Sequence, residues 1–434
     1  MYESNCDDPS AVNERGTITL LTWSFLGVLC ASLIFVSQEV KPAFHIGFDR
    51  SGILGAMLCI AALGLCVPLL ASVRHPLGFA ASFYLLAVVA GYLWLSYFTP
   101  LDYNHAAARL SAFASWAAFA ISATLVMKSP PRRNLLTHRQ MNLLSGSLIV
   151  VAFIFAVRGY LFGFHMVGYE EGEILRDTLN PPTWMRYVVA ISVTTVLPFA
   201  YAWFFTQRRY AIAIAALAVL LAYYPITLNK TTLLAPFWLL FLSVLLKATS
   251  WRMAVVLSLF LPVVLGLAAK FIDPNPEDPI FRMINFRMLA IPASAIDHYN
   301  LFFSTHPLTY FCQVWIIGKI FACSLPDQLG VLLAKEFATG NYNASLLSTE
   351  GTASVGVYFA PLSAMLCGAV IAIGNMTSDR LEPALVLLSA AILLQVMMNV
   401  PLSIIMLSHG GFLMFALWFL TPRPDGPVGD SVVS

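Results

Sequence analysis

Residues 127–140 read MKSPPRRNLLTHRQ, and they sit between two apolar runs, 107–127 and 143–163. About 20 mostly apolar residues suffice for an α-helix to cross a hydrocarbon core of about 30 Å. The linker carries Lys128, Arg132, Arg133 and Arg139. Basic residues are retained on the cytoplasmic side of short membrane loops, so this stretch reads as an inner turn joining two spans. The rest of the chain fits that reading. It is 59% hydrophobic and 11% charged over 434 residues, whereas soluble domains carry roughly a quarter charged residues. A soluble core has no room for so much apolar surface. The fold class is an all-α polytopic membrane protein.

Further apolar runs lie near 17–37, 52–73, 78–98, 184–206, 210–227, 231–247, 252–271, 353–374, 383–402 and 408–421. Together these predict about twelve spans. The last two are separated only by Pro401 and a short polar patch. The basic linkers TQRRY (206–210) and KATSWR (247–252) fall on the same side as 127–140 in an alternating count. Both termini then lie in the cytoplasm. The residues before the first run (Glu3, Asp7, Asp8, Glu14 and Arg15) are net acidic, and the run is long, so it reads as a retained anchor in a plasma (inner) membrane. Residues 1–434 form one integral membrane domain in this reading. It has two large outer segments, an acidic loop at 164–183 and a long one at 272–352.

Several function classes are excluded by what is missing. A net charge of +2 gives no nucleic-acid signal. The chain contains no Walker-type phosphate loop, no H-E-x-x-H and no G-x-S-x-G. The seven cysteines have no metal-ligand spacing, and no metal or other cofactor is expected. Cys30, Cys59, Cys66 and Cys367 read as small core residues. If the stretch containing Cys312 and Cys323 is one helix, eleven residues separate them by about 16 Å, too far for a disulfide, and both are expected as free thiols. No Asp or Glu falls mid-span, which weighs against a proton-coupled transporter.

The ionisable residues gather instead on the outer side: Arg158, Arg176, Lys230, Arg282 and Arg287, with Glu170, Glu171, Glu173, Asp177, Asp297, His298 and His306. Arginine offers a fixed fork of donors suited to phosphate oxygens. A set of them at the lipid boundary suits a lipid-linked phosphate or pyrophosphate. They would equally well anchor helix ends. The long outer segment opens with DPNPEDP (273–279), which breaks any helix. Then comes FRMLAIPASAIDHYNLFFSTHPLTYF (286–311), in which Phe286, Leu289, Ala293, Ile296, Tyr299 and Phe303 recur at helical spacing. This predicts an interfacial helix lying on the outer surface.

That stretch resembles a signature of the Wzy-type oligosaccharide repeat-unit polymerases of bacteria. In that family an arginine precedes an aliphatic or aromatic pair, a proline, a Tyr-rich helix, an FFS element and an Asn/His-Pro step. Arg287, Pro292, Tyr299, Phe302, Phe303, Ser304 and Pro307 match. GYEEGEILRDTL (168–179) looks like the family's outer-loop element, with Arg176 as its arginine. ITLNKTTLLAPF (226–237) looks like its lysine turn, with Lys230. NYNASLLSTEGTASVGVYFAPL (341–362), followed by Ser378-Asp379-Arg380, looks like the approach to the next span and its inner end. The resemblance covers about residues 150–420. Two departures stand out. Phe286-Arg287 replaces the family's paired arginines, and VGVYFAPL replaces a glycine-rich step.

The resemblance implies a transfer of undecaprenyl-pyrophosphate-linked oligosaccharides from one carrier lipid to the sugar of the next unit, without nucleotide or metal. It also implies membrane lipids as surroundings, and a chain-length regulator and a flippase of the same pathway as partners. Arg176 and Arg287 are expected on the leaving pyrophosphate, supported by Arg158, Lys230 and Arg282. His298 or Glu171 is expected as the base. Tyr299, Tyr310 and Trp315 are candidate sugar platforms. An O-antigen ligase shares the donor and the cations. A polysaccharide flippase ranks third, because its cations would line mid-membrane helices. The topology is testable with single cysteines and a membrane-impermeant reagent. Positions 171 and 278 should label in intact cells, and position 132 only after lysis. Labelling of 171 or 278 only from the inside would overturn the arrangement.

Overall fold

All regular structure in the described residues of this computed structural model is helical. The described residues are 9–39, 44–125, 134–161, 163, 182–273, 278–320, 323, 325, 327–339 and 342–423. The first nine helices are α1 (Pro9–Glu39), α2 (Arg50–Ala71), α3 (Pro76–Leu95), α4 (His105–Ala123), α5 (His138–Tyr160), α6 (Thr183–Thr206), α7 (Tyr210–Thr227), α8 (Lys230–Ala248) and α9 (Trp251–Ile272). Then come α10 (279–305), α11 (Trp315–Ile320), α12 (Leu329–Phe337), α13 (Leu347–Ser378), α14 (Pro383–Met397), α15 (Leu402–Ser408) and α16 (Gly411–Leu420).

Among the described residues ten helices, α1–α9 and α13, are long and apolar enough to cross a membrane. The pair α15–α16, bent by 60°, makes an eleventh if it counts as one span. The apolar run expected over 383–402 is helical only over the 15 residues of α14, about 22 Å long. Each of the twelve apolar runs therefore contains helix, but the last two are a short helix and a broken one.

The chain divides into two compact units. One comprises 1–126, 248–372 and 394–404, the other 127–247, 373–393 and 405–434. In the first unit α3 is the core, with all of its membrane-length window buried. It is contacted by α1, α2, α4, α9 and α10. Small residues allow such close packing where lipid gives no hydrophobic drive. At Gly91 an added Cβ would stand 2.8 Å from the Ala293 Cβ of α10, so the two helices touch at backbone distance.

Helix direction in this unit is fixed by polar contacts at both ends. Glu14 of α1 pairs with Arg252 of α9 at 3.5 Å, and Glu39 with Lys270 at 3.0 Å. The pairs occur in the same order along both helices, so α1 and α9 run parallel, as the first and ninth spans of an alternating count must. Arg252 also donates to the Val73 carbonyl after α2, at 2.9 Å.

In the second unit α5–α8 are tied by polar side chains at mid-helix. Tyr223 donates to the Ala152 carbonyl at 2.6 Å, and Trp203 to Asn142 at 2.9 Å. Tyr201 and Ser243 share a hydrogen bond of 2.7 Å. The bend between α15 and α16 frees the His409 carbonyl, which accepts from Thr194 and Thr195 of α6.

Three expectations are corrected here. First, α10 is not an interfacial helix with one wet face. The spaced apolar residues Phe286, Leu289, Ala293, Ile296, Tyr299 and Phe303 are all buried, but so are Asp297, His298 and Asn300 between them. The helix is packed against both α3 and α12. Second, Cys312 and Cys323 are joined in a disulfide, with Cα atoms 5.2 Å apart. The chain between them is not one helix. The chain turns at 312–314, and the helix that follows, α11, is only six residues long. Third, the helix expected over 353–374 starts at Leu347 and takes in Glu350. Its carboxylate accepts from the backbone N–H and the hydroxyl of Ser403, both at 2.8 Å.

Candidate active site

The long helix α10 changes register along its length. Pro279–Phe281 is α-helical, Arg282–Ala290 is π-helical and Ile291–Thr305 is α-helical again. The Ile291 N–H donates to the Phe286 carbonyl, five residues back. In an α-helix residues five apart would point about 140° apart. With i→i+5 bonding they stand one turn apart on one face. Arg282 and Arg287 are such a pair. Arg287 is exposed and Arg282 half-buried. The wide turn is held by Asn285, which is fully buried and donates to Ser32 Oγ of α1 at 2.8 Å and to the Val263 carbonyl of α9 at 3.1 Å.

One and a half turns beyond Pro292 come Asp297 and His298, both sealed inside the unit. Adjacent residues on a helix project about 100° apart, so the two find separate partners. Asp297 accepts from the hydroxyl of Tyr103, which is itself 3.2 Å from the hydroxyl of Tyr92 on α3. Thr99 bonds the same carboxyl, and Arg109 lies in its field. The connection 96–104 that supplies Thr99 and Tyr103 is pinned by Arg109, which donates to the Ser96 hydroxyl and carbonyl, both at 2.9 Å, and lies 3.6 Å over the Tyr97 ring. Asn104 caps the next helix by accepting from the Ala107 N–H.

His298 is 0% exposed and uses both ring nitrogens. Its Nδ1 is 2.8 Å from the Ser294 carbonyl, and its Nε2 is 3.2 Å from Nδ1 of His45. A carbonyl only accepts, so His298 Nδ1 carries the hydrogen and Nε2 is the bare acceptor. His45 Nδ1 must then be the donor. The rings of Phe337 and Tyr342 stand edge-on to His298 at 4.7 and 5.0 Å. His45 is half-buried, and its backbone has φ 54°. That conformation costs a non-glycine residue about 1–2 kcal/mol. It is held by the packing on either side, with Phe44 against Phe286 and Tyr342, and Phe48 against Phe98. A Cβ at Gly47 would collide with the Phe98 carbonyl, so the segment 44–48 lies directly on the 96–104 connection.

Of the residues singled out from the sequence, Arg282, Arg287 and His298 lie along α10. Tyr299 also lies on α10, but it is 1% exposed and packed on Phe303, so it is core and no sugar platform. Tyr310 is 70% exposed and remains available for contact. His306 ends α10, stacked on Phe302 at 3.9 Å with Nδ1 against the Phe302 carbonyl. In the second unit Arg158 at the end of α5 is exposed and Lys230 at the start of α8 is half-buried. Glu171, Arg176 and the side chain of Trp315 lie outside the described residues. His45, Thr99 and Tyr103 escaped notice in the sequence, because their short connections carry no motif. Their one sequence signal is polarity, FHIGFDR and TPLDYNH standing between apolar runs. Among the described residues no three His, Cys, Asp or Glu side chains stand together as a metal site would need.

Burial pushes the Asp297 carboxyl up to about 6, against the opposing hydrogen bonds of Thr99 and Tyr103. Burial pushes His298 down to about 4, opposed by the Ser294 carbonyl. These shifts act oppositely on stability. The raised Asp297 stabilises fully below its ordinary 3.8 and loses that contribution as pH rises through 6. The lowered His298 stabilises fully above its ordinary 6.5 and loses that contribution as pH falls towards 4. Comparison with family models, curated proteins and solved structures finds no match for this chain.

Melting temperatures of purified protein at pH 7 and pH 5 test the pair. Relative to the wild-type change on acidification, Asp297→Asn should lose about 1–3 °C more and His298→Gln should lose correspondingly less. A shift in the same direction for both variants would refute the assignment.

Proposed function

We propose that this protein is a membrane glycosyltransferase that joins undecaprenyl-pyrophosphate-linked oligosaccharide units on the outer face of the plasma membrane. The observation that carries this reading is the make-up of α10. Two arginines share one face of its π-helical segment, and in the α-helical segment that follows the buried His298 is bonded to His45 of the α1–α2 connection. A transfer from a lipid pyrophosphate needs both kinds of group. Negative charge develops on the departing pyrophosphate, and preorganised cations stabilise it. The acceptor hydroxyl must give up its proton to a positioned base.

The Cys312–Cys323 disulfide supports an outer placement of the segment after α10, since disulfides persist in oxidising compartments. The resemblance of residues 150–420 to the Wzy-type polymerases points the same way. It assigns Arg176, with Arg287, to the pyrophosphate, Arg158 and Lys230 to its support, and a chain-length regulator and a flippase to the pathway. The chemistry requires no nucleotide on the outer face.

Lysine keeps the charge of arginine but not the planar fork. If Arg287 and Arg176 clamp a pyrophosphate, each change to lysine should lower polysaccharide output per folded protein by roughly 10²-fold or more. Lipid-linked single units should accumulate, and Arg139→Lys on the basic inner turn should behave as wild type. Near-normal polymer from both outer variants would return the arginines to helix anchoring. Transfer of one block to a different lipid acceptor would identify a ligase instead.

A further inference from the structure

We infer that His45, supplied by the connection between α1 and α2, is the general base of the transfer, and that His298 is its positioning residue. The inference rests on the glycosyl-transfer reading and sharpens it. A base must present a bare nitrogen to the acceptor hydroxyl. His298 has none to offer: it is fully buried, its Nδ1–H is spent on the Ser294 carbonyl, and its Nε2 faces His45 Nδ1. His45 has the complementary arrangement. Its Nδ1–H is fixed by His298, which makes Nε2 the unprotonated nitrogen, and its ring is only half-buried.

The backbone supports the same assignment. His45 holds φ 54° although a glycine stands two residues on, at Gly47. Strained conformations in non-glycine residues persist where the side chain is needed in that direction. Two rings crowd the pair: Phe337 lies 6.2 Å from His45 and 4.7 Å from His298, and Tyr342 lies 5.0 Å from His298.

In the reaction the acceptor hydroxyl oxygen bonds to the anomeric carbon of the donor while its proton passes to His45 Nε2. The bond from that carbon to the pyrophosphate oxygen breaks, and its electron pair leaves with the lipid pyrophosphate. The resulting imidazolium keeps its Nδ1–H on His298 Nε2, which remains a neutral acceptor because burial disfavours a second proton there. His298 thus holds the tautomer and angle of His45 in the way a buried carboxylate does in a hydrolase triad.

The test uses purified full-length protein, a lipid-linked single repeat unit and added imidazole. His45→Gly suits it, because glycine takes positive φ without strain and leaves a hole of imidazole shape. Its kcat should fall roughly 10²–10⁴-fold with little change in KM, and free imidazole should restore at least about tenfold of the loss. In His45→Gly/His298→Phe the rescue should vanish, since nothing remains to hold the N–H of the added imidazole. Formation of the Cys312–Cys323 disulfide reports folding. If His45→Gly fails to form it, His45→Gln is read instead, and a folded, active His45→Gln overturns the assignment. A wild type that transfers while His45→Gly is near normal, or is insensitive to imidazole, overturns the role of His45 alone. A wild type that transfers nothing overturns the glycosyl-transfer reading beneath it.

Discussion

A carboxyl and an imidazole that stand next to each other on a buried helix each require a polar partner. Leaving either unsatisfied would cost several kcal/mol in a setting without water. Asp297 and His298 impose this on the first unit, and much of its architecture answers it. The carboxyl draws in Thr99 and Tyr103, and the imidazole draws in His45. Those partners sit on two short connections that stack on each other through Phe48, Phe98 and Gly47. Gly91 and Ala293 let α10 approach α3 closely, and Tyr103 bridges the two helices by bonding both Tyr92 and Asp297. One dipeptide thereby fixes the register of α10 on the core helix and the course of both connections.

The membrane class was legible because hydropathy sums over some twenty residues, and local irregularities average out. The apolar face of α10 was legible for the same reason, since six residues at helical spacing leave a signal that one side chain cannot erase. The fate of its other face was not. The partners of Asp297 and His298 are 194 and 253 residues away in the chain, in segments without a motif. The π register of Arg282–Ala290 was equally hidden. It is held by the acceptors that Asn285 finds on α1 and α9, which the local stretch RMINFRMLA does not reveal. The cysteine pair was misread because the stretch between them holds only the six-residue helix α11, after a turn at 312–314 that no glycine or proline announces.

The π-helical segments of the first unit lie on either side of this cluster. Arg282–Ala290 precedes it on α10, and Leu347–Ala353 follows it at the head of α13. Wide turns of this kind are uncommon and occur often at functional sites, because they re-aim side chains that an α-helix would scatter. Here the first gathers two arginines on one face. The second carries Glu350, tied to Ser403, and offers the Ala353 and Ser354 carbonyls that the Thr309 and Tyr310 N–H groups bond at 2.8 and 3.1 Å. The break at Gly356, with φ 77°, follows directly. The exposed Tyr310 is thus held by the same irregular helix that borders the core of α10.

The claim at the centre of this account is that cations and imidazoles of the protein, without nucleotide or metal, drive transfer between carrier lipids. Purified protein in lipid vesicles, given only undecaprenyl-pyrophosphate-linked single units and a strong chelator, tests it most directly by resolving products according to length. The account predicts a ladder of lipid-linked oligomers with release of undecaprenyl pyrophosphate. Recovery of single units alone, or a ladder that forms only when a sugar nucleotide or divalent metal is added, would contradict it.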